Sequence, residues 1–159
     1  SVVNDLIDIV EFVKNDLSRR PRGRACFVLT RDASDQSTWA AKLAELTGAQ
    51  HLDVLMHFQE HDELAGKVSS FGVDNLFTLF GTVGGEASVL VVSGIEFLRS
   101  AWSGQTSAVE QLARKAEFWG KKPALLLVTQ WERVLGELEY KRFPHLRASI
   151  DQKNTVSLD

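Results

Sequence analysis

Residues 30–38 of this 159-residue chain carry polar groups at the spacing of a loop that could cradle phosphate. The segment reads TRDASDQST, follows the apolar run Ala25–Leu29 and leads into the amphipathic stretch Trp39–Leu46. This order predicts a strand, a short polar loop and a helix. Backbone N–H groups at the start of a helix point toward a bound anion, and the helix dipole favours negative charge there. The segment is therefore the first candidate for a nucleotide-binding site.

The pattern GxxxxGK[ST] fits this segment in spacing but not in residue type. Thr30 and Asp35 stand where the pattern has glycine, and Gln36 stands at the lysine. Only Ser37 keeps the hydroxyl that the pattern expects, and a second hydroxyl residue, Thr38, follows it. At ~4 Å and an effective dielectric of ~20, the Asp35 carboxylate would repel a phosphate charge by about 4 kcal/mol. These five residues predict the frame of a nucleotide site without the charges that hold a triphosphate; an ordinary turn with Asp35 or Ser37 as helix N-cap is the alternative.

A second segment, VLVVSGIEFL at residues 89–98, has the form of a magnesium-associated strand. An apolar run followed by an acid is the Walker B signature, whose carboxylate reaches the metal. Ser93 occupies the acidic position here and Gly94 the next one, so the nearest acid is Glu96. Glu96 is retained as a catalytic candidate, with a solvated residue after the strand as the alternative.

Two further candidates lie near the ends of predicted strands. Thr129 closes the run PALLLVT, where a polar residue orients the attacking water in ring-forming and signalling ATPases. Arg142, in the segment KRFP before the predicted last strand, stands where such ATPases place an arginine finger that stabilises transition-state charge. A plain surface position is the alternative for Arg142.

Composition bounds the remaining classes of function. A hydrophobic fraction of 44%, a charged fraction of 25% and a net charge of −3 describe an ordinary globular domain with no global attraction to nucleic acid or anionic membranes. No apolar run reaches the roughly 20 residues of a membrane helix, and the first residues do not resemble a signal peptide. The single cysteine, Cys26, lies inside an apolar run. A cytoplasmic protein without membrane contact is predicted.

Two weaker patterns concern metal and DNA. The histidines His51, His57 and His61 lack a secured i, i+4 geometry, so no metal site is predicted. The basic cluster consists of Arg19, Arg20, Arg22 and Arg24. These arginines either contact DNA phosphates or form a solvated linker.

The periodicity predicts one α/β domain over residues 1–159, beginning with an amphipathic helix at 2–17 and a basic linker at 18–24. Later helices are expected at 37–47, 60–82 (in two pieces broken near Gly72), 105–119 and 131–138. Strands are expected at 24–30, 51–58, 88–92, 123–129 and 155–158. Strands alternating with helices indicate three layers, α/β/α, around a mainly parallel five-stranded sheet.

The loop spacing, the strand succession and the VLVVSGIEFL segment resemble the P-loop ATPases that carry an additional strand between the two Walker strands. That resemblance implies a sheet order of 5-1-4-3-2. In size and layout the chain is also similar to the BrxF family, the small P-loop-containing proteins of type 3 BREX phage-exclusion systems. Membership would imply a component of a multi-protein antiphage system that includes a DNA methyltransferase, a phosphatase-like protein and larger ATPases.

Three functions stay open on these grounds. The first is a P-loop-like component of a defence system with a decayed nucleotide site, which acts mainly by protein–protein interaction and for which no cofactor is assigned. The second is a genuine ATPase that takes ATP and magnesium and is completed in trans by a partner or by a second copy of the chain. The third is a DNA-binding accessory protein that uses the arginines of residues 19–24.

Overall fold

A computed structural model describes residues 6–104, 107–156 and 158. Five strands form one sheet in which every neighbouring pair is parallel, in the order β2-β3-β4-β1-β5. Read from the other edge, this is the predicted order 5-1-4-3-2, so the fold class is confirmed. The strands are β1 Ala25–Thr30, β2 Gln50–Asp53, β3 Val89–Ser93, β4 Ala124–Gln130 and β5 Ser149–Asp151.

Helices cover both faces of the sheet because its three central strands are apolar on both sides. Every residue of β1 and β3 is buried, as is every residue of β4 except its last. Phe27 and Leu29 pack into one layer of the core, and Cys26 and Val28 into the other. The fold therefore has the three layers that the alternating pattern predicts.

The helices on the two faces differ in number and length. They are α1 Ile9–Glu11, α2 Gln36–Thr47, α3 Val54–Glu60, α4 Asp62–Ala65, α5 Val73–Gly84, α6 Glu96–Ala101, α7 Ala108–Glu117 and α8 Arg133–Gly136. Residues of α1 and α2 pack into one core layer, and residues of α3, α5, α6, α7 and α8 into the other. Among the described residues, no helix is both long and apolar enough to cross a membrane.

The amino-terminal helix starts later than predicted. Residues 2–5 of the predicted helix lie outside the described residues, while Ile7 forms a parallel bridge with Thr155. Asp8 then caps α1 by accepting a hydrogen bond from the Glu11 amide at 3.1 Å. The helical path continues from α1 through a π turn and a 3-10 turn to Arg19.

One predicted strand is wrong in extent and another is wrong in position. The strand expected at 51–58 ends at Asp53, and α3 begins at Val54. Val54 and Phe58 are both buried and are four residues apart, so their spacing satisfies a helix as well as a strand. The last strand is expected at 155–158, but Ser149–Asp151 is the segment that pairs with β1.

Candidate functional site

The predicted site residues converge where β1, β3 and β4 end. Thr30, Ser93 and Thr129 lie at or next to these carboxyl ends and are all buried. In open parallel sheets, ligands bind outside this edge. The loop of residues 31–35 joins β1 to α2 there, as the strand–loop–helix pattern predicts.

One residue of the loop has a backbone conformation that favours glycine. Asp35 has φ +58° and is the one non-glycine residue with positive φ in the described part of the chain. The pattern has its second glycine at this position, where left-handed backbone suits glycine best. Asp35 is the N-cap residue of α2, as the alternative of an ordinary turn predicts, although its side chain makes no capping hydrogen bond.

Short-range hydrogen bonds join the polar groups of this exposed loop. Asp32 accepts a hydrogen bond from the Ser34 amide at 2.9 Å and another from the Ser34 hydroxyl. These bonds, the hydroxyl bond first, lower the pKa of the Asp32 carboxyl. Thr30 Oγ1 donates to the Asp32 carbonyl oxygen at 2.7 Å. The loop therefore presents an exposed carboxylate at Asp32 that is held by local hydrogen bonds.

Gln36 occupies the lysine position and points inward, with 3% of its surface exposed. Its Nε2 donates to Thr30 Oγ1 at 3.3 Å and to Glu96 Oε2 at 3.1 Å. Its Oε1 accepts from the Gly94 amide at 3.2 Å. The amide thus joins the ends of β1 and β3 to α6, and its hydrogen-bonding capacity is spent inside the protein.

Glu96 belongs to this network, and the prediction of a solvated residue is wrong. Its Oε2 also accepts from Thr129 Oγ1 at 2.7 Å and from the Gln130 amide at 2.8 Å. Arg99, one turn further along α6, donates to Thr129 Oγ1 at 2.9 Å and to the Gln130 carbonyl oxygen at 2.8 Å. Sequence reasoning missed Arg99; its spacing of three residues from Glu96 on one helix was the available signal.

Ser37, the hydroxyl that the pattern assigns to magnesium, contacts an acid from a different strand. Its Oγ donates to Asp53 Oδ2 at 2.7 Å. Asp53 Oδ1 accepts from the Met56 amide at 3.1 Å and thereby caps α3. Thr38 is exposed and lines a cleft of about 510 Å³ beside Ser37. Asp53 was not predicted as a site residue because the sequence placed it inside a longer strand.

The electrostatics of this edge oppose a polyphosphate. Its carboxylates belong to Asp32, Asp35, Asp53 and Glu96. Of the nearby cations, Arg31 is exposed and Arg99 is bound to the end of β4. Within the described parts of the chain, no group of three or more His, Cys, Asp or Glu side chains could hold a metal ion.

The remaining predicted residues lie elsewhere. The Arg142 guanidinium lies over the Phe118 and Phe143 rings, 5.7 and 5.8 Å from their centroids. Phe118 is near the amino end of β4, and a seven-residue strand separates the two edges by about 20 Å. Arg142 therefore does not reach the site of its own chain.

The arginine cluster is not a uniform solvated linker. Arg20 is buried and donates to Asp16 at 2.9 Å and to the Arg147 carbonyl oxygen at 3.1 Å. Arg24 donates to the Lys121 carbonyl oxygen at 3.0 Å. Of the four arginines considered as DNA contacts, Arg19 and Arg22 are exposed, Arg24 is half-buried and Arg20 is buried.

The histidines make internal contacts. His57 and His61 stack with ring centroids 4.1 Å apart. His51 Nε2 shares a 2.8 Å hydrogen bond with Ser93 Oγ. Burial lowers the pKa of His51 and of His57 below the ordinary value of 6.5.

Acidification is expected to destabilise the protein through these histidines. The unfolded chain binds the proton first, so the stability they confer is complete above pH ~6.5 and is lost as pH falls through the folded-state pKa. Urea unfolding at pH ~7.5 and ~5 measures the loss. His51→Gln is expected to reduce the difference between the two pH values, whereas His145→Gln at an exposed position retains it. An unchanged difference in His51→Gln would contradict the assignment.

No protein-family model, curated protein or solved structure matches the chain. The functional argument therefore depends on the geometry of the site and on the surfaces around it.

Proposed function

We propose that this chain is a P-loop-like α/β domain whose nucleotide site is closed by its own side chains and which acts by binding partners. The observation that carries the proposal is the inward Gln36 amide. It replaces the cation of a phosphate-binding lysine and is bonded to Thr30, Gly94 and Glu96. A triphosphate entering the loop would have to break these bonds and approach the Asp32 and Asp35 carboxylates.

The hydrolytic groups are also engaged in structural roles. Ser37 is bonded to Asp53, and Thr129 to Glu96. Ser93 stands where the metal-binding acid is expected and is bonded to His51. A neighbouring residue can compensate for the loss of one such group. Here both the lysine that binds phosphate and the carboxylate that binds the metal are missing. The carboxyl edge thus serves as a brace between strands.

Action through protein contacts is supported by apolar side chains that face solvent near this edge. Trp131 and Val156 are 53% and 47% exposed and line one cleft of about 870 Å³. Leu55 and Met56 are exposed side by side on α3. Exposed apolar groups of this kind are typical of interaction sites when they are contiguous. On the basis of the resemblance to BrxF proteins, we propose that the partners belong to a phage-exclusion complex.

The wild-type chain is expected to show no magnesium-dependent binding of a fluorescent ATP analogue and no phosphate release. The double variant Asp35→Gly, Gln36→Lys restores the glycine and the cation of the pattern. It is expected to gain at least about tenfold in affinity for the analogue, a free energy of about 1.4 kcal/mol. This gain is smaller than the repulsion of about 4 kcal/mol between the Asp35 carboxylate and a phosphate charge that the substitution removes.

The matched control is Asp35→Gly with Gln59→Lys, because Gln59 is exposed on α3 and the net charge is the same. It is expected to gain less than the site variant. Micromolar ATP binding with turnover by the wild type, abolished by Ser37→Ala, would overturn the proposal. Turnover that arises only when partner subunits are added would favour the ATPase completed in trans.

A further inference from the structure

Half of the chain's basic residues belong to three short segments that the topology brings to one edge of the sheet. Residues 19–24, 120–122 and 140–147 contain nine of the 18 Lys and Arg residues and no acid. They immediately precede β1, β4 and β5, which are neighbours in the sheet. Because parallel strands all start at the same edge, the segments lie together, opposite the closed nucleotide site. The remainder of the chain carries nine basic and 21 acidic residues, so a net charge of −3 conceals a strongly basic edge.

Two arginines hold this edge together. Arg20 donates to the carbonyl oxygens of Gly23 and Arg147, and Arg24 to that of Lys121. These bonds link all three basic segments. They hold the three segments in place, and the side chains of the other cations take no part in these bonds.

The exposed cations alternate with aromatic rings. Arg22 lies over the Phe143 ring at 5.9 Å, and Arg142 lies over both Phe143 and Phe118 at 5.8 and 5.7 Å. Lys121 is 6.0 Å from the Trp119 ring. We call the surface formed by Arg22, Phe143, Arg142, Phe118, Lys121 and Lys122 the Arg–Phe face.

The charges of the Arg–Phe face are free to bind an anion. In the described ranges, no ion pair involves Arg22, Lys121, Lys122 or Arg142. Attraction to an aromatic ring orients a guanidinium without consuming its N–H donors. Three of the nearby acids are paired or buried: Asp16 pairs with Arg20, Asp74 pairs with Lys115, and Glu117 is 9% exposed. Glu139 is exposed and lines a cleft with Arg147, outside the Arg–Phe face.

An apolar surface suited to stacking lies beside these charges. Phe118 is 55% exposed although it is a large apolar residue. Together with Trp119 and Lys121 it lines a cleft of about 580 Å³, within the usual size of small-ligand sites. Cations that track a phosphate backbone, combined with rings on which bases stack, are the two elements of single-strand binding.

We infer that the Arg–Phe face binds single-stranded nucleic acid, with Arg22, Arg142 and the lysines on phosphates and Phe118 stacked on a base. A polyanion without aromatic groups, such as polyglutamate, would use the charges but offers no ring to stack on Phe118. A duplex would reach the charges while its bases remain stacked on one another.

The test is fluorescence anisotropy of the full 159-residue chain with a labelled oligothymidine of about 12 nucleotides at ~50 mM salt. Arg22→Gln with Arg142→Gln is expected to weaken binding at least about tenfold and to flatten the slope of log affinity against log salt by about 1.4. The matched control is Lys42→Gln with Lys67→Gln, which removes the same charge from exposed positions outside the three segments. It is expected to weaken binding less than about twofold.

Further arms separate the sources of affinity. Phe118→Ala is expected to cost at least about fivefold with the single strand and to leave affinity for a duplex of equal length unchanged. Oligouridine is expected to bind as oligothymidine does, because stacking and charge do not distinguish the sugars here. Urea unfolding of each variant shows that the fold is retained.

Several results would overturn the inference. They are failure of the wild type to bind the oligonucleotide, equal losses in the test and control double variants, an equal loss of duplex binding in Phe118→Ala, and equal affinity for polyglutamate of the same charge. None of these outcomes bears on the closed nucleotide site, which lies at the other edge of the sheet.

Discussion

Replacing Gly94 by alanine is expected to lower the free energy of unfolding by about 3 kcal/mol. Gly94 has φ +74°, and an added β-carbon would overlap the Asp53 carboxylate. Left-handed backbone costs an L-residue about 1 kcal/mol, and forcing an atom into an occupied position typically adds about 1 to 3 kcal/mol. Asp53 cannot simply move away, because it is bonded to Ser37 and to the Met56 amide.

Gly48→Ala is the matched control for the backbone contribution. Gly48 has φ +72°, nearly the same as Gly94, but no atom lies within 4 Å of its added β-carbon. Its substitution is expected to cost only about 1 kcal/mol. Urea unfolding of both variants separates strain in the backbone from overlap with the site.

A second control uses the overlapping partner. In an Asp53→Ala background the β-carbon of residue 94 no longer meets a carboxylate, so the further cost of Gly94→Ala is expected to fall toward that of Gly48→Ala. Such non-additivity is the mark of direct contact between two residues. Equal costs at positions 94 and 48 in the wild-type background would contradict the described packing.

Replacing Arg20 by alanine is expected to lower the free energy of unfolding by about 2 to 3 kcal/mol, since hydrogen bonds to a charged group contribute about 1.5 to 3 kcal/mol. Arg20 is 4% exposed. Its guanidinium donates to Asp16 and to the carbonyl oxygens of Gly23 and Arg147, and it lies 5.2 Å from the centroid of the Phe12 ring. Removing it leaves two carbonyl groups without a partner and opens the contact between the first helical stretch and the sheet.

The neighbouring Arg19 is exposed, and Arg19→Ala is expected to change stability by less than about 0.5 kcal/mol. Urea unfolding of the two variants measures the difference. Equal stability of the two variants would support the interpretation of residues 18–24 as a solvated linker. The same pair is informative for nucleic-acid binding, because a loss in Arg20→Ala would follow from disordering the three basic segments and not from a lost phosphate contact.

Local sequence was sufficient for the central elements of the fold. The runs in β1, β3 and β4 are apolar throughout, and a strand buried on both faces leaves that signature without help from distant residues. Gly48 ends α2 with φ +72° as its position after the periodic stretch predicts. The sheet order, which the resemblance to P-loop ATPases implies and local sequence does not, is also confirmed.

Elements with a short or ambiguous pattern could not be assigned in the same way. Val54 and Phe58 satisfy both alternation and helical spacing, and the Asp53 cap decides for the helix. β5 is only three residues long and is recognisable as a strand only through its pairing with β1. The six-residue α6 is too short for its periodicity to stand out.

By itself the sequence determined the frame of the site and the absence of its usual charges: Asp35, Gln36 and Ser93 are visible without coordinates. Only the tertiary structure decided what those residues do instead. Gln36 meets Glu96 from 60 positions away, and Arg20 meets Arg147 from 127 positions away. One-dimensional spacing carries no record of such contacts, because they arise when the parallel strands align their ends. For the same reason the separation into a closed carboxyl edge and a basic amino edge becomes visible only in the folded sheet.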